Sequence, residues 1–333
     1  MRKTVIYFFL LSSCFLSVNA KHGLTYASED IHAPHESRYD TIQTKKDEMK
    51  TIAFYLQDGV EILDFGGPME VFVYAGYKVF TVSKNKKPIQ SQGVLTIIPD
   101  YSIDDAPKAD ILAFFGGHSV NAYKNTKVID WVKEQKEVSY HFSVCTGAFV
   151  LAEAGILKGK TATTFHDVLD KLESDYPEIE VRREARFVDN GNVITTAGVS
   201  AGIDGALHLV AKLQGLNAAK RAAYYMEYDN WQPGNGLILS NDNPYLDPPK
   251  LEELASFTGT YQFKDDLEVV VTVDEENDQL SARVANNVYP MYYESRDLFS
   301  DVGNEPIFFQ RNEKDEIIGY KLSLDGKIYQ KLN

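Results

Sequence analysis

The chain has 333 residues, about a quarter of them charged, and a formal net charge of −14. It holds no basic block, which excludes the clustered Lys and Arg that nucleic-acid binding needs. No Cys/His spacing suits a zinc site and no Gly-rich loop with a following Lys suits a phosphate, so neither metal nor cofactor is expected.

At the N-terminus Arg2 and Lys3 precede an apolar stretch to Val18, and Val18-Asn19-Ala20 supplies the small residues that signal peptidase reads. Residues 1–20 are therefore expected to be a secretory signal peptide, too short for a membrane span, with export to a bacterial periplasm. The alternative is a lipoprotein anchored at Cys14, which the apolar Phe15, Leu16 and Val18 after it disfavour. Cleavage after Ala20 leaves Cys145 as the one cysteine, in a compartment that permits disulfides. A lone thiol there points to deep burial or to chemical use. Residues 21–50 form a polar segment whose His22, His32 and His35 fit a solvated tail better than a metal site.

From Thr51 strands and helices alternate. Residues 51–56 read as a buried strand, and 61–65 lead through Gly66-Gly67-Pro68 into a helical stretch from Met69. A second strand covers 77–82, and another covers 109–115 and ends at Gly116-Gly117. A helix at 128–136 is followed by the strand 138–144 that delivers Cys145, with a helix from Phe149. Residues 160–164 read as a strand and 168–174 as a helix. The segments 185–188 and 193–196 are strands joined by the tight turn Asp189-Asn190-Gly191-Asn192. Helices at 203–213 and 218–226 complete the set.

This alternation implies an α/β fold, a doubly wound and mostly parallel sheet covered on both faces. Sites in such sheets form beyond the C-terminal strand ends, where Cys145 and Gly116-Gly117 both fall. A thiol at a strand-to-helix turn also lies beside free backbone N–H groups and the positive end of a helix, which favour the thiolate. The competing reading of Cys145 is a small buried hydrophobe. Residues 231–250, with Pro233, Pro244, Pro248 and Pro249, read as a linker. Beyond it, short strands at 257–261, 267–273, 279–284, 307–310, 317–322 and 327–330 indicate a separate small antiparallel β domain over 251–333, a sandwich or a barrel.

Six segments carry a resemblance: Leu63-Asp64-Phe65-Gly66-Gly67-Pro68, Phe115-Gly116-Gly117, Ser143-Val144-Cys145-Thr146-Gly147, Ala162-Thr163-Thr164, Asp189-Asn190-Gly191-Asn192 and Ala197-Gly198-Val199-Ser200-Ala201-Gly202-Ile203-Asp204. With these in order, residues 51–230 resemble the ThiJ/PfpI superfamily, a class I glutamine-amidotransferase-like, flavodoxin-type fold. Within it they look most like the isonitrile hydratase branch and the sensor domains of AraC-type regulators. The resemblance implies Cys145 as nucleophile, Asp64 as its acid–base partner, and a contribution from the Thr146 hydroxyl. It also implies backbone N–H groups from Gly116 and Gly117 beside the thiol, as in an oxyanion hole. Without it, Asp64 could cap a helix and the two glycines could form an ordinary turn. Protease-like members carry His where this chain has Thr146, which argues against peptidase chemistry.

Two histidines depart from the family pattern. His118 follows Gly116-Gly117 where many relatives have a small residue, and reads either as a contact at the pocket mouth or as a surface residue. Relatives often place a His about twenty residues after the cysteine; here Phe165 stands there and His166 is offset by one, which turns its side chain the other way unless the strand has ended. His141 and His208 read as structural. The implied reaction converts an isonitrile to an N-substituted formamide. Glyoxalase- or deglycase-like chemistry on reactive carbonyls is the enzymatic alternative, and a redox-sensing or ligand-binding protein is the non-enzymatic one. A small-molecule substrate and a homodimer are the expected partners. Residues 251–333 resemble the small β domain appended to some secreted β-lactamase-like proteins, with Phe257-Thr258-Gly259-Thr260-Tyr261 as the opening signature.

Overall fold

The computed structural model describes residues 50–135, 138–246, 249–264 and 267–333. The expected signal peptide and the polar segment up to Met49 lie outside the described residues. The chain divides into two compact units with the boundary between Leu246 and Asp247. No described helix is long and apolar enough to cross a membrane.

The first unit is built on an eight-stranded sheet. In chain order its strands are β1 (Thr51–Tyr55), β2 (Lys78–Ser83), the small hairpin β3 (Ile89–Ser91) and β4 (Leu95–Ile97) outside the main sheet, β5 (Tyr101–Ser102), β6 (Ile111–Phe114) and β7 (Tyr140–Val144). They continue with a two-residue pair outside the main sheet, β8 (Thr161–Ala162) and β9 (Glu180–Val181), then β10 (Phe187–Asp189), β11 (Val193–Thr196) and β12 (Leu237–Ile238). The sheet order is β12-β10-β11-β7-β6-β1-β2-β5, parallel except where β10 runs antiparallel to β11. Alternate residues of β1 enter two apolar clusters: Ile52 and Phe54 one, Ala53 and Tyr55 the other. A strand buried on both faces in this way reads as one apolar run.

The helices on the first face are α1 (Ile62–Tyr74), then, after the shorter α2 (Val120–Tyr123), α3 (Thr126–Glu134), α4 (Ala148–Glu153) and α5 (Leu169–Asp175) of the opposite face, α6 (Ala201–Gln214) and α7 (Leu216–Tyr225). Gly66-Gly67-Pro68, expected as a turn, lies inside α1. Packing overrides local propensity here: a Cβ on Gly67 would stand 2.6 Å from Ile203 Cγ1 of α6, so the bare backbone is what lets the two helices meet. The expected linker 231–250 also differs. Its residues 237–238 form edge strand β12, and Ser240, Asp242 and Tyr245 bond to groups of the same unit, so the boundary falls later.

The second unit begins with α8 (Leu251–Ala255) and continues as an antiparallel meander. Its strands are β13 (Gly259–Gln262), β14 (Glu268–Asp274), β15 (Gln279–Val284), β16 (Asn287–Ser295), β17 (Leu298–Ser300), β18 (Pro306–Arg311), β19 (Ile317–Lys321) and β20 (Tyr329–Gln330). The Leu332 N–H donates to Thr260 O at 2.7 Å and Tyr261 bridges to Lys331, so the last segment pairs with the first and the sheet closes on itself. Strands β16 and β17 were not anticipated from the sequence. Pro290 reads as a breaker, yet it pairs only with Ser281 of β15, because the ladder from β16 to β17 begins at Tyr292. Inside lies an apolar cavity of about 40 Å³, lined by Phe263, Val271, Val284, Met291 and Phe309 among others.

Candidate active site

Four neighbouring strand ends build the site. The chain leaves β1 and enters α1, whose first turn carries Asp64. Strand β6 leads through Phe115 to Gly116, β7 leads to Cys145, and β11 leads to the turn 197–200. The strand order reverses between β1 and β6, which is where a doubly wound sheet opens a crevice.

Cys145 sits at a sharp elbow. It has φ +59°, begins a single 3₁₀ turn, Cys145–Gly147, and leads into α4. A non-glycine residue in this region is strained and must be held by its surroundings. The holding groups are visible. The Cys145 N–H donates to Ala197 O at 3.0 Å, and the Thr164 hydroxyl donates to Cys145 O at 2.7 Å.

Asp64 has no exposed surface. Its Oδ2 accepts the Gly116 N–H at 2.8 Å and its Oδ1 accepts the Val199 N–H at 3.1 Å. The Cys145 thiol is its third donor. A Cβ on Gly116 would stand 2.6 Å from Asp64 Oδ2 and 2.7 Å from Cys145 Sγ, so a residue without a side chain is what allows carboxyl and thiol to close over this backbone. Gln57 fixes that loop from behind, its Nε2 donating to Phe115 O at 3.0 Å and Gly116 O at 2.9 Å.

The electrostatics differ from the expectation of a ready thiolate. Burial, and then the charge of Asp64, push the Cys145 thiol up to about 12, although the N–H groups of Thr146 and Gly117 at the sulfur pull the other way. Burial likewise raises Asp64 to about 6, helped by the nearby Glu61 and opposed by the Gly116, Cys145 and Val199 donors. At neutral pH the pair is therefore a thiol beside a carboxylate. The helix-end argument was sound in sign, but desolvation is larger. Nucleophilic use of Cys145 then needs its proton to pass to Asp64 as the bond forms.

Of the residues singled out from the sequence, the structure brings together Cys145, Asp64, Gly116, Gly117 and Thr146. The Thr146 hydroxyl accepts from Ser119 Oγ at 2.8 Å and faces Gly117 O at 3.5 Å. It does not bring the two flanking histidines to the pair. His118 is exposed and its ring lies against the backbone of Gly59. His166 is exposed, pairs with Asp167 at 3.0 Å, and leaves the inward position to Phe165, whose ring packs on Gly198. His141 is buried with neither ring nitrogen hydrogen-bonded to a described residue, and burial pushes it down to about 4. Sequence reasoning missed Val199, Ser119 and Gln57. Val199 acts through its main chain and leaves no side-chain signal to read.

The profile of the DJ-1/PfpI family matches residues 50–212. Isonitrile hydratase of Pseudomonas putida is 34% identical over 183 residues, covering 53% of this chain and 78% of that enzyme. The chain belongs to the DJ-1/PfpI family. A ThiJ/PfpI family protein from Pseudomonas syringae superposes with a TM-score of 0.53 at 30% identity, over 63% of this chain and 85% of that one. The HTH-type transcriptional regulator CdhR of Pseudomonas aeruginosa is 27% identical, but the match spans only 50% of its length. Family membership thus fixes the fold, while the matched relatives include both an enzyme and a regulator.

Proposed function

We propose that this chain is a cysteine-dependent small-molecule hydratase acting on isonitriles, exported from a bacterial cell and working as a homodimer. One observation carries the chemistry: the Cys145 thiol and the Asp64 carboxylate are hydrogen-bonded to each other in a buried site, with no histidine bonded to either among the described residues. A single carboxylate that takes one proton and returns it suits addition of S–H across one carbon. The likeness to isonitrile hydratase supports the substrate class.

In the first step Asp64 takes the thiol proton as the sulfur bonds to the terminal isonitrile carbon, and returns it to that same carbon, giving a thioimidate, R–N=CH–S–Cys145. Asp64, again a carboxylate, then takes a proton from water as the oxygen adds to the carbon. The nitrogen gains that proton, leaving R–NH–CH(OH)–S–Cys145; the C–S bond then breaks as Asp64 passes the hydroxyl proton to the sulfur, and R–NH–CHO leaves with the thiol restored. The N–H groups of Gly117 and Thr146, which hydrogen-bond the sulfur, stabilise charge on it as the C–S bond forms and breaks.

The test is turnover of aliphatic and aromatic isonitriles by wild type and Cys145→Ala, with formamide followed by mass spectrometry. Wild-type turnover lost in the variant is expected; equal product from both rejects the reading. Trapping the thioimidate as a mass increment on Cys145 checks the covalent step. Sequencing the N-terminus of protein recovered from the periplasm, where a start at Lys21 is expected, tests export, and sedimentation tests the dimer. Rapid, stoichiometric oxygen addition to Cys145 by peroxide, without any turnover, would favour a peroxide sensor instead.

A further inference from the structure

Among the matching segments, Gly202-Ile203-Asp204 has so far no role. Asp204 stands in the first turn of α6 and is nearly buried, and both its oxygens are occupied. Oδ2 accepts from Arg186 Nε, and Oδ1 accepts the Tyr228 hydroxyl at 3.1 Å. Arg186 lies just before β10, and because β10 runs antiparallel this places it at the same end of the sheet as Cys145. It grips the turn 197–200 twice. Its carbonyl accepts the Ala197 N–H at 2.9 Å, and its Nη2 reaches Ser200 Oγ at 3.4 Å.

That turn serves both reacting groups at once. Ala197 O accepts the Cys145 N–H at 3.0 Å, and the Val199 N–H reaches Asp64 Oδ1 at 3.1 Å. Val199 has φ +51°, a conformation that a β-branched residue resists. The start of α6 holds the turn from one side, the Ala201 N–H donating to Gly198 O and the Gly202 N–H to Val199 O, both at 3.1 Å, and the side chains fastened behind it are Arg186, Asp204 and Tyr228.

We propose that Arg186, Asp204 and Tyr228 form a positioning clamp that holds the turn 197–200 so that Val199 donates to Asp64 and Ala197 anchors Cys145. None of the three touches the reacting atoms. The clamp rests on Asp64 and Cys145 as the reacting pair, and not on the isonitrile as substrate. The titratable groups facing Asp64 are Cys145 from the β7 elbow and Glu61 from the start of its own helix, and both stay in place in the variants below.

The test is the pH dependence of Cys145 alkylation by iodoacetamide from pH 5 to 9, followed by intact mass, which needs no isonitrile. Losing the Val199 donor leaves the charged carboxylate less well bonded, so its proton is held more tightly. Arg186→Ala is expected to move the midpoint upward by about half a unit or more, with Arg186→Lys recovering much of the shift. Tyr228→Phe deletes one oxygen, keeps the ring, and is expected to move the midpoint the same way by less. A folded Arg186→Ala with lower thermal stability but the wild-type midpoint overturns the clamp. If Arg186→Ala does not fold, an unmoved midpoint in Tyr228→Phe overturns it. Loss of isonitrile turnover in wild type, with the midpoint shifts intact, would sink only the substrate assignment.

Discussion

Two carboxylates in the α/β unit are shut off from water, and they behave in opposite ways. Asp64 and Asp189 both have no exposed surface. Burial raises both, yet Asp64 ends at about 6 and Asp189 at about 2. The difference lies in the donors. Asp189 Oδ2 accepts from Lys212 Nζ at 2.8 Å, from His208 Nε2 at 2.9 Å and from Ser240 Oγ at 2.9 Å, and Oδ1 accepts the Gly191 N–H at 2.6 Å. Asp64 has two backbone N–H groups, a thiol, and another carboxylate nearby, with no cation. Asp189 lies at the end of β10, opposite Ile194, and so at the edge of the sheet away from Cys145. One buried carboxylate is solvated by the protein and fastens the fold. The other is left undersolvated beside a thiol, which keeps its proton affinity in the range a proton carrier needs.

A matched pair of substitutions is the sharpest way to break this contrast. Asp64→Asn is expected to cut Cys145-dependent turnover by roughly 100- to 10,000-fold while changing stability at pH 7 by less than about 1 kcal/mol. Asp189→Asn leaves the buried Lys212 with Asp242 at 2.7 Å as its remaining carboxylate and removes the shared acceptor of His208 and Ser240, and is expected to cost about 2–4 kcal/mol, with the alkylation rate of the folded protein unchanged. Urea denaturation and iodoacetamide kinetics measure both. Equal destabilisation by the two variants would remove the distinction.

The pH dependence of stability differs in sign. Asp64 holds its proton to about pH 6 when folded and to about 3.8 when unfolded. Its contribution is complete below 3.8 and is lost as the pH rises through 6, a change of about 3 kcal/mol. Asp189, held down to about 2, contributes stability above 3.8 that is lost as the pH falls through 2. Comparing wild type with Asp64→Asn by urea midpoints at pH 4 and pH 7 isolates the first effect. The variant is expected to gain on wild type between those values, and a constant difference would show that Asp64 is not raised. A smaller effect concerns Thr146, whose hydroxyl joins Ser119 to the Gly117 loop. Thr146→Val is expected to lower turnover about tenfold, the worth of one hydrogen bond.

The two carboxylates were unequally legible in the sequence. The alternation of strands and helices places Cys145 and Gly116-Gly117 at strand ends, while Asp64 is joined to them in the sequence only by the family resemblance and otherwise reads as a helix cap. Asp189 was read only as part of a tight turn. Its partners come from mid-helix His208 and Lys212, and from Ser240 in a stretch whose prolines read as a linker. Nothing in the local pattern joins three separate elements. The same limit hid Val199, which contributes a backbone N–H, and β16, where Pro290 masks an alternating strand. It also explains why the net shift of the Cys145 thiol runs against the helix-end expectation, because a helix end is visible in sequence and the depth of burial around it is not.

The Asp189 network also makes the smallest prediction, at its outer edge. A carboxylate only accepts, so His208 Nε2 carries a proton toward Asp189, and Nδ1 hydrogen-bonds the Tyr245 hydroxyl at 3.0 Å. Tyr245 therefore ties the segment after β12 to the middle of α6, and its hydroxyl also takes the Gly234 N–H. Tyr245→Phe keeps the ring beside His208 and removes both bonds, so the expected cost is about 0.5–1.5 kcal/mol for each. Cys145 alkylation should be untouched, because the change lies at the opposite edge of the sheet. An altered alkylation midpoint in Tyr245→Phe would mean that the two buried carboxylates communicate through α6, whose first turn carries Asp204 and whose middle carries His208.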